Sequence, residues 1–278
     1  MGQLLLQAGT TAASLTHVAL ASLGTGQADS LHVRLIFVQS LRGLPDSASK
    51  AAFAQSFFQE MSAVFQVYGI GVSGSYQIVK PSSPPLGFPF DGIYTSLPGD
   101  RIAGNVHVYL VDSIVVTGNG VEPGGEILGF APREAFDLDK DDESRVVLSR
   151  KGGTASDLAI TTTHELGHFF GLRHTTASTL DMSSDQDNSN FDDGFASTTL
   201  CPEIEQAALA QPKISASAPS VRFTRYCLRV AVDHCPVTCD LSNLMFAYDC
   251  KNTLNRQDIL TTEQIAFLRK NMNVFFKK

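Results

Sequence analysis

The sequence lacks the features that would assign it to a membrane or a nucleic acid. No apolar run approaches the ~20 residues that a membrane-spanning helix needs. Lys and Arg number 21 against 28 Asp and Glu, a formal charge of -7, so the basic footprint of a nucleic-acid binder is missing. Residues 1–23 are mildly apolar but carry no basic residue ahead of the apolar part, which makes a poor secretory signal. No cysteine precedes Cys201, so no thiol from the N-terminal segment is available to plug a metal site.

What cysteine there is sits late: Cys201, Cys227, Cys235, Cys239 and Cys250. The clustering points to local disulfides and an oxidising compartment, either secreted or periplasmic. Five is odd, so at least one thiol is left over or pairs outside the chain. Ordinary reduced thiols are the competing reading. A zinc site at His234, Cys235 and Cys239 is a weak reading, because the spacing is loose. At 278 residues the chain suits one large domain or two small ones.

Local patterns place the elements. Residues 31–40 form a nearly continuous apolar run, the mark of a central strand in a covered sheet. His32 in that run reads as a structural or surface histidine. Asp46 or Ser47 caps a helix on which Phe53, Phe57, Met61, Val64, Phe65 and Tyr68 recur at helical spacing. Further strands are expected at 72–80, 106–114 and 146–149. Residues 81–100 are proline-rich and read as an irregular connection. Residues 1–30 suit a short packed helix or a remnant of a longer segment, with no clear role. Glycines flank a short apolar stretch, Ile127, Leu128, Gly129, Phe130 and Ala131, which suggests a strand that another backbone approaches closely. Asp137 to Glu143 form an acidic run without the glycine and distal glutamate of an EF-hand, so a solvated turn is expected. A ribbon or extended segment is expected over 218–232. Thr261 and Gln264 fit a capping box, and Ile265, Leu268 and Met272 line the final helix.

The chemistry concentrates in residues 164–174, read HELGHFFGLRH. Thr154 or Ser156 caps a helix on which His164 and His168, four apart, leave one face a turn from each other. Two neutral imidazoles so placed can hold one Zn2+ at about 2 Å each. Glu165 is next to the first ligand and out of line with it, so it can reach a water without taking a coordination position. Gly171 ends the helix and lets His174 return as a third ligand. Three ligands leave a fourth position open, the mark of a catalytic rather than a structural site. Zinc lowers the pKa of a water from about 16 towards about 7, and Glu165 serves as general base and then acid.

This string is the metzincin signature, and Met245 within 242–248 supplies the methionine turn that goes with it. Beyond the signature, the chain resembles the pappalysin branch over roughly residues 31–275. That resemblance rests on residues 124–131, the zinc helix, the acidic loop, Asn243 to Met245, Asp249-Cys250 and the terminal Thr-x-x-Gln-Ile helix. It implies an α/β (α+β) fold. The upper subdomain, 31–174, would have a twisted, mostly parallel five-stranded sheet and two long helices. The lower subdomain, 175–278, would be smaller and irregular, with the C-terminal helix. It implies a zinc endopeptidase acting on protein or peptide substrates, taken here as a monomer. It further implies lower-subdomain disulfides and structural Ca2+, for which Asp181, Asp185, Asp187, Asp192 and Asp193 are candidates, although such loops are also simply solvated. Residues 127–131 would bind substrate as an added antiparallel strand. The branch usually has a tyrosine two residues after the turn methionine, able to swing towards the zinc or the oxyanion; here that position is Ala247, and Tyr248, one further on, is the catalytic candidate that the resemblance implies beside Glu165. A latent zinc-binding module blocked by residues 1–30, and a hydrolase of non-peptide amides, are the alternatives.

Overall fold

The computed structural model describes residues 16–18, 30–38, 41–79, 88–89, 104–115, 126–131, 145–173, 175, 195, 197, 243–245 and 259–277. In chain order these form β1 (Thr16–Val18), β2 (Ser30–Val38), α1 (Ser47–Gln66), β3 (Gly71–Val79) and β4 (Phe88–Pro89). There follow β5 (Val106–Val111), β6 (Ile114–Val115), β7 (Glu126–Ile127), β8 (Gly129–Phe130) and β9 (Arg145–Ser149). Two helices complete the set, α2 (Ala155–Phe169) and α3 (Thr262–Lys277).

The main sheet runs β1-β3-β2-β5-β9-β8. Strands β3, β2, β5 and β9 run parallel to one another, and β8 adds an antiparallel edge on β9. This is the expected mostly parallel five-stranded sheet, with one addition. Residues Thr16–Val18 pair antiparallel with β3 at the opposite edge, so this part of the N-terminal segment is strand, not helix.

The expected strand over 106–114 stops at Val111 and restarts at Ile114. Between the two, the Asp112 carboxylate accepts the Arg42 amide at 2.7 Å. Ile114 then starts a separate ladder, the small sheet β4-β6-β7.

The chain divides into two compact units. One holds residues Met1–Gly171 and Leu268–Lys278; the other holds Leu172–Phe267. In the first, α1 and α2 pack against each other and against the sheet. Asp46 caps α1 reciprocally with Ser49. Phe53, Phe57, Met61, Val64 and Phe65 are buried as the spacing requires, and Phe58 joins them. On the other face of the sheet Ile36, Val38, Tyr109, Val111, Ile114 and Val147 form a second apolar cluster. His32 is exposed and hydrogen-bonds Ser73, which agrees with a surface role. The end of α3 belongs to this unit: Phe275 meets Phe169 edge-on at 5.4 Å, and Asn271 Nδ2 donates to Phe170 O at 2.7 Å.

Helix α2 starts where the chain supplies a cap. Thr154 Oγ1 accepts the Asp157 amide at 3.3 Å, while Asp157 Oδ2 accepts the Thr154 amide at 2.7 Å. Removing such a cap costs about 1 kcal/mol. Thr154→Ala should therefore lower the melting temperature by roughly 2–4 °C. Calorimetry checks this, and an unchanged midpoint contradicts it.

Candidate metal centre

Helix α2 carries His164, Glu165 and His168 in its last two turns. The two imidazoles are neighbours, with ring centroids 4.8 Å apart and planes at 86°. Both are half-buried. Buried Leu158, Leu166 and Phe169 fasten the helix beneath them. The helix ends at Gly171, whose φ of 92° lies in the left-handed region that a side chain disfavours. Its amide donates to His168 O at 2.8 Å.

Glu165 behaves differently from its neighbours: it is 7% exposed. Burial pushes its carboxyl up to about 8, and a hydrogen bond from the Ala131 amide only partly opposes this. The residue that follows β8 thus holds the carboxylate directly, a contact that spacing along the helix does not reveal.

The strand expected over 127–131 divides at Leu128. Ile127 pairs with Ile114 in the small sheet, because β6 offers it a ladder there. Gly129 and Phe130 pair with Leu148 and Val147 in the main sheet. Leu128 joins the two, its carbonyl accepting the Ser149 amide at 2.8 Å. Gly129 is needed for a reason other than the backbone approach the sequence suggests. A Cβ at Gly129 would lie 2.9 Å from Thr161 Cγ2, 3.0 Å from Leu148 Cδ2 and 3.1 Å from Glu165 Cγ. Two of those atoms belong to α2, so the missing side chain lets α2 seat Glu165 against the strand.

Gly129→Ala should displace Glu165 and lower stability by about 1–3 kcal/mol through overpacking. Adding Thr161→Ser removes the nearest methyl and should restore part of the loss. An unchanged urea midpoint in Gly129→Ala would contradict this.

In the second unit Met245 is fully buried in a short turn with Asn243 and Leu244. Its carbonyl accepts the Thr175 amide at 3.1 Å. His174, Tyr248, the five cysteines, and Asp181, Asp185, Asp187, Asp192 and Asp193 lie outside the described residues. So do the connection over 81–87 and 90–100, the acidic run from Asp137 and the segment over 218–232. Among the described residues no three His, Cys, Asp or Glu side chains converge as a ligand set.

The donor chemistry fits zinc. Two adjacent imidazoles on one helical face suit a borderline-soft ion, and the buried carboxylate beside them is not needed as a ligand.

A solved structure of mature mirolysin from Tannerella forsythia, in complex with a cleaved peptide, is similar over 91% of this chain and 98% of that one. Its TM-score is 0.50 at 15% sequence identity, a likeness of fold. An archaemetzincin from Methanopyrus kandleri is similar over 54% of this chain and 78% of its own, at 16% identity and a TM-score of 0.34. No family model and no curated protein sequence matches the chain.

Proposed function

We propose that this protein is a zinc-dependent endopeptidase of the metzincin type, most like the pappalysin branch. The observation that carries the reading is Glu165: a carboxylate buried beside two adjacent imidazoles and hydrogen-bonded by the Ala131 amide just after β8. His164, His168 and His174 would hold the ion, with Met245 in the turn that goes with the signature. Bound there, zinc supplies Lewis-acid polarisation of a scissile carbonyl and makes a water more acidic.

The protein's own groups do the rest. Glu165 accepts the proton of the attacking water at its carboxylate and passes it to the leaving amine. Burial raises the proton affinity of that carboxylate, which favours the base role over that of an exposed glutamate. Strand β8 is the outer strand of its sheet and partly exposed, so a peptide can add to it as a further antiparallel strand. The peptide held by mirolysin agrees in kind with such a substrate. Thr16–Val18 pair at the edge of the sheet opposite β8. Calcium in the Asp-rich loop, disulfides and secretion belong to the same proposal and rest on the sequence resemblance alone.

Digestion of a mixed peptide library with the zinc-loaded protein tests the proposal. Internal cleavage that a chelator abolishes and zinc restores is expected. An uncut library, or cleavage indifferent to chelation, would sink it.

A further inference from the structure

The part of α3 that belongs to the first unit buries a stripe with one polar member. Leu268, Met272 and Phe275 are buried, and Asn271 lies among them at helical spacing, itself 7% exposed. An amide in an apolar stripe costs free energy unless it is hydrogen-bonded. Asn271 finds a partner on the helix that carries His164 and His168: its Nδ2 donates to Phe170 O at 2.7 Å. The neighbouring contacts are ring edges. Phe275, one turn further along α3, meets Phe169 at 5.4 Å and Phe170 at 6.0 Å, with planes at 85° and 82°.

The carbonyl that Asn271 holds has a particular place. Phe170 caps the C-terminus of α2, where the last carbonyls have no donor within the helix. Phe170 O and the Gly171 amide belong to one planar peptide unit. The oxygen of that unit accepts Asn271 Nδ2, and its N–H donates to His168 O at 2.8 Å. One rigid plane therefore links Asn271 to the main chain of His168. The joint beside it is soft, because Gly171 has the widest backbone freedom of any residue and sits at a φ of 92°. Apolar ring contacts are non-directional and leave the rotation of the plane open, whereas a hydrogen bond sets it.

We propose that Asn271 is a positioning residue: by holding the peptide plane between Phe170 and Gly171, it sets the main chain of His168 and with it the direction in which that imidazole meets zinc. The inference rests on the reading of His168 as a zinc ligand. His164 sits one turn earlier in α2, so the hold acts on one imidazole of the pair and changes their relative placement. Outer partners that orient a ligand change metal affinity by about 10–100-fold when removed, and action through the main chain puts Asn271 at the lower end, about tenfold.

The test uses the full chain, with zinc affinity read by competition with a chelator. The absorption bands of the Co2+-substituted protein report ligand geometry independently of activity. Asn271→Leu is close in size and continues the apolar stripe, so it removes the amide without emptying the core. It should weaken zinc by about tenfold and shift the cobalt bands. Asn271→Ala removes the same donor without added bulk, should shift the bands likewise, and carries the test should Asn271→Leu fail to fold. Asp46→Ala, which removes the cap of α1, controls for lost stability and should leave zinc affinity and the cobalt bands unchanged.

Parent-like affinity and bands in the variants at position 271 overturn the proposal. An equal loss in Asp46→Ala overturns it too, because general destabilisation would then be the cause. His168→Ala separates this inference from the reading beneath it. If it weakens zinc while Asn271→Leu does not, only the positioning role falls. If it leaves zinc unaffected, the ligand assignment falls and takes the positioning role with it.

Discussion

Replacing Glu165 by glutamine should lower kcat/KM for peptide hydrolysis by about 10²–10⁴-fold while zinc stays bound. The substitution is close to isosteric, and the amide oxygen can still accept the Ala131 hydrogen bond that the carboxylate now receives. The packing of Glu165 Cγ beside Gly129 is also kept. What disappears is a group able to take a proton and return it. His164 and His168 are untouched, so metal content by atomic absorption should match the parent. Glu165→Ala should be as inactive and less well packed, because it opens a void where the buried side chain stood. A glutamine variant with a tenth or more of parental activity refutes the general-base role. A variant that is inactive because it has lost its zinc assigns Glu165 to the ligand set instead.

The sequence displayed the parts of this fold that obey a single period. The apolar run of β2 and the helical spacing of Phe53, Phe57 and Met61 are local patterns, and each becomes the element it suggests. His164 and His168 are four apart, and the helix converts that spacing into adjacent rings without help from the tertiary structure. The capping boxes at Thr154 and Thr261 are equally local.

What the sequence concealed depends on partners distant along the chain. Strand β1 has three residues and too little pattern to announce itself; only its ladder on β3 defines it. The division at Leu128 arises because two ladders, from β6 and β9, compete for one stretch of backbone. Gly129 reads as a generic close approach, and only the packed structure shows that the neighbour is Glu165. Gln264 is legible as a cap, but its second partner, Asn243, is 21 residues away.

The second large effect concerns the metal-free protein, where the buried Glu165 should make stability fall as pH rises. Burial raises its carboxyl to about 8 from a reference value of 4.5. The folded chain therefore prefers the protonated form, whereas the unfolded chain ionises freely above its own lower pKa. Below about 4.5 both states are protonated and the group contributes no penalty. Between about 4.5 and about 8 the unfolded state alone gains by releasing the proton, so stability declines across this window and levels off above it. At ~1.4 kcal/mol per tenfold change in proton affinity, the full decline is on the order of a few kcal/mol. Glu165→Gln cannot ionise, so urea unfolding of the chelated proteins should show the parent losing stability from pH 5 to pH 8 relative to the variant. Other titrating groups are common to both proteins and cancel in the difference. Zinc should shrink the gap, because a cation held by His164 and His168 favours the ionised carboxylate between them in sequence. Parallel pH profiles for the chelated parent and Glu165→Gln would mean that the carboxylate is solvated in solution, and would remove the electrostatic basis for treating Glu165 as an unusually strong base.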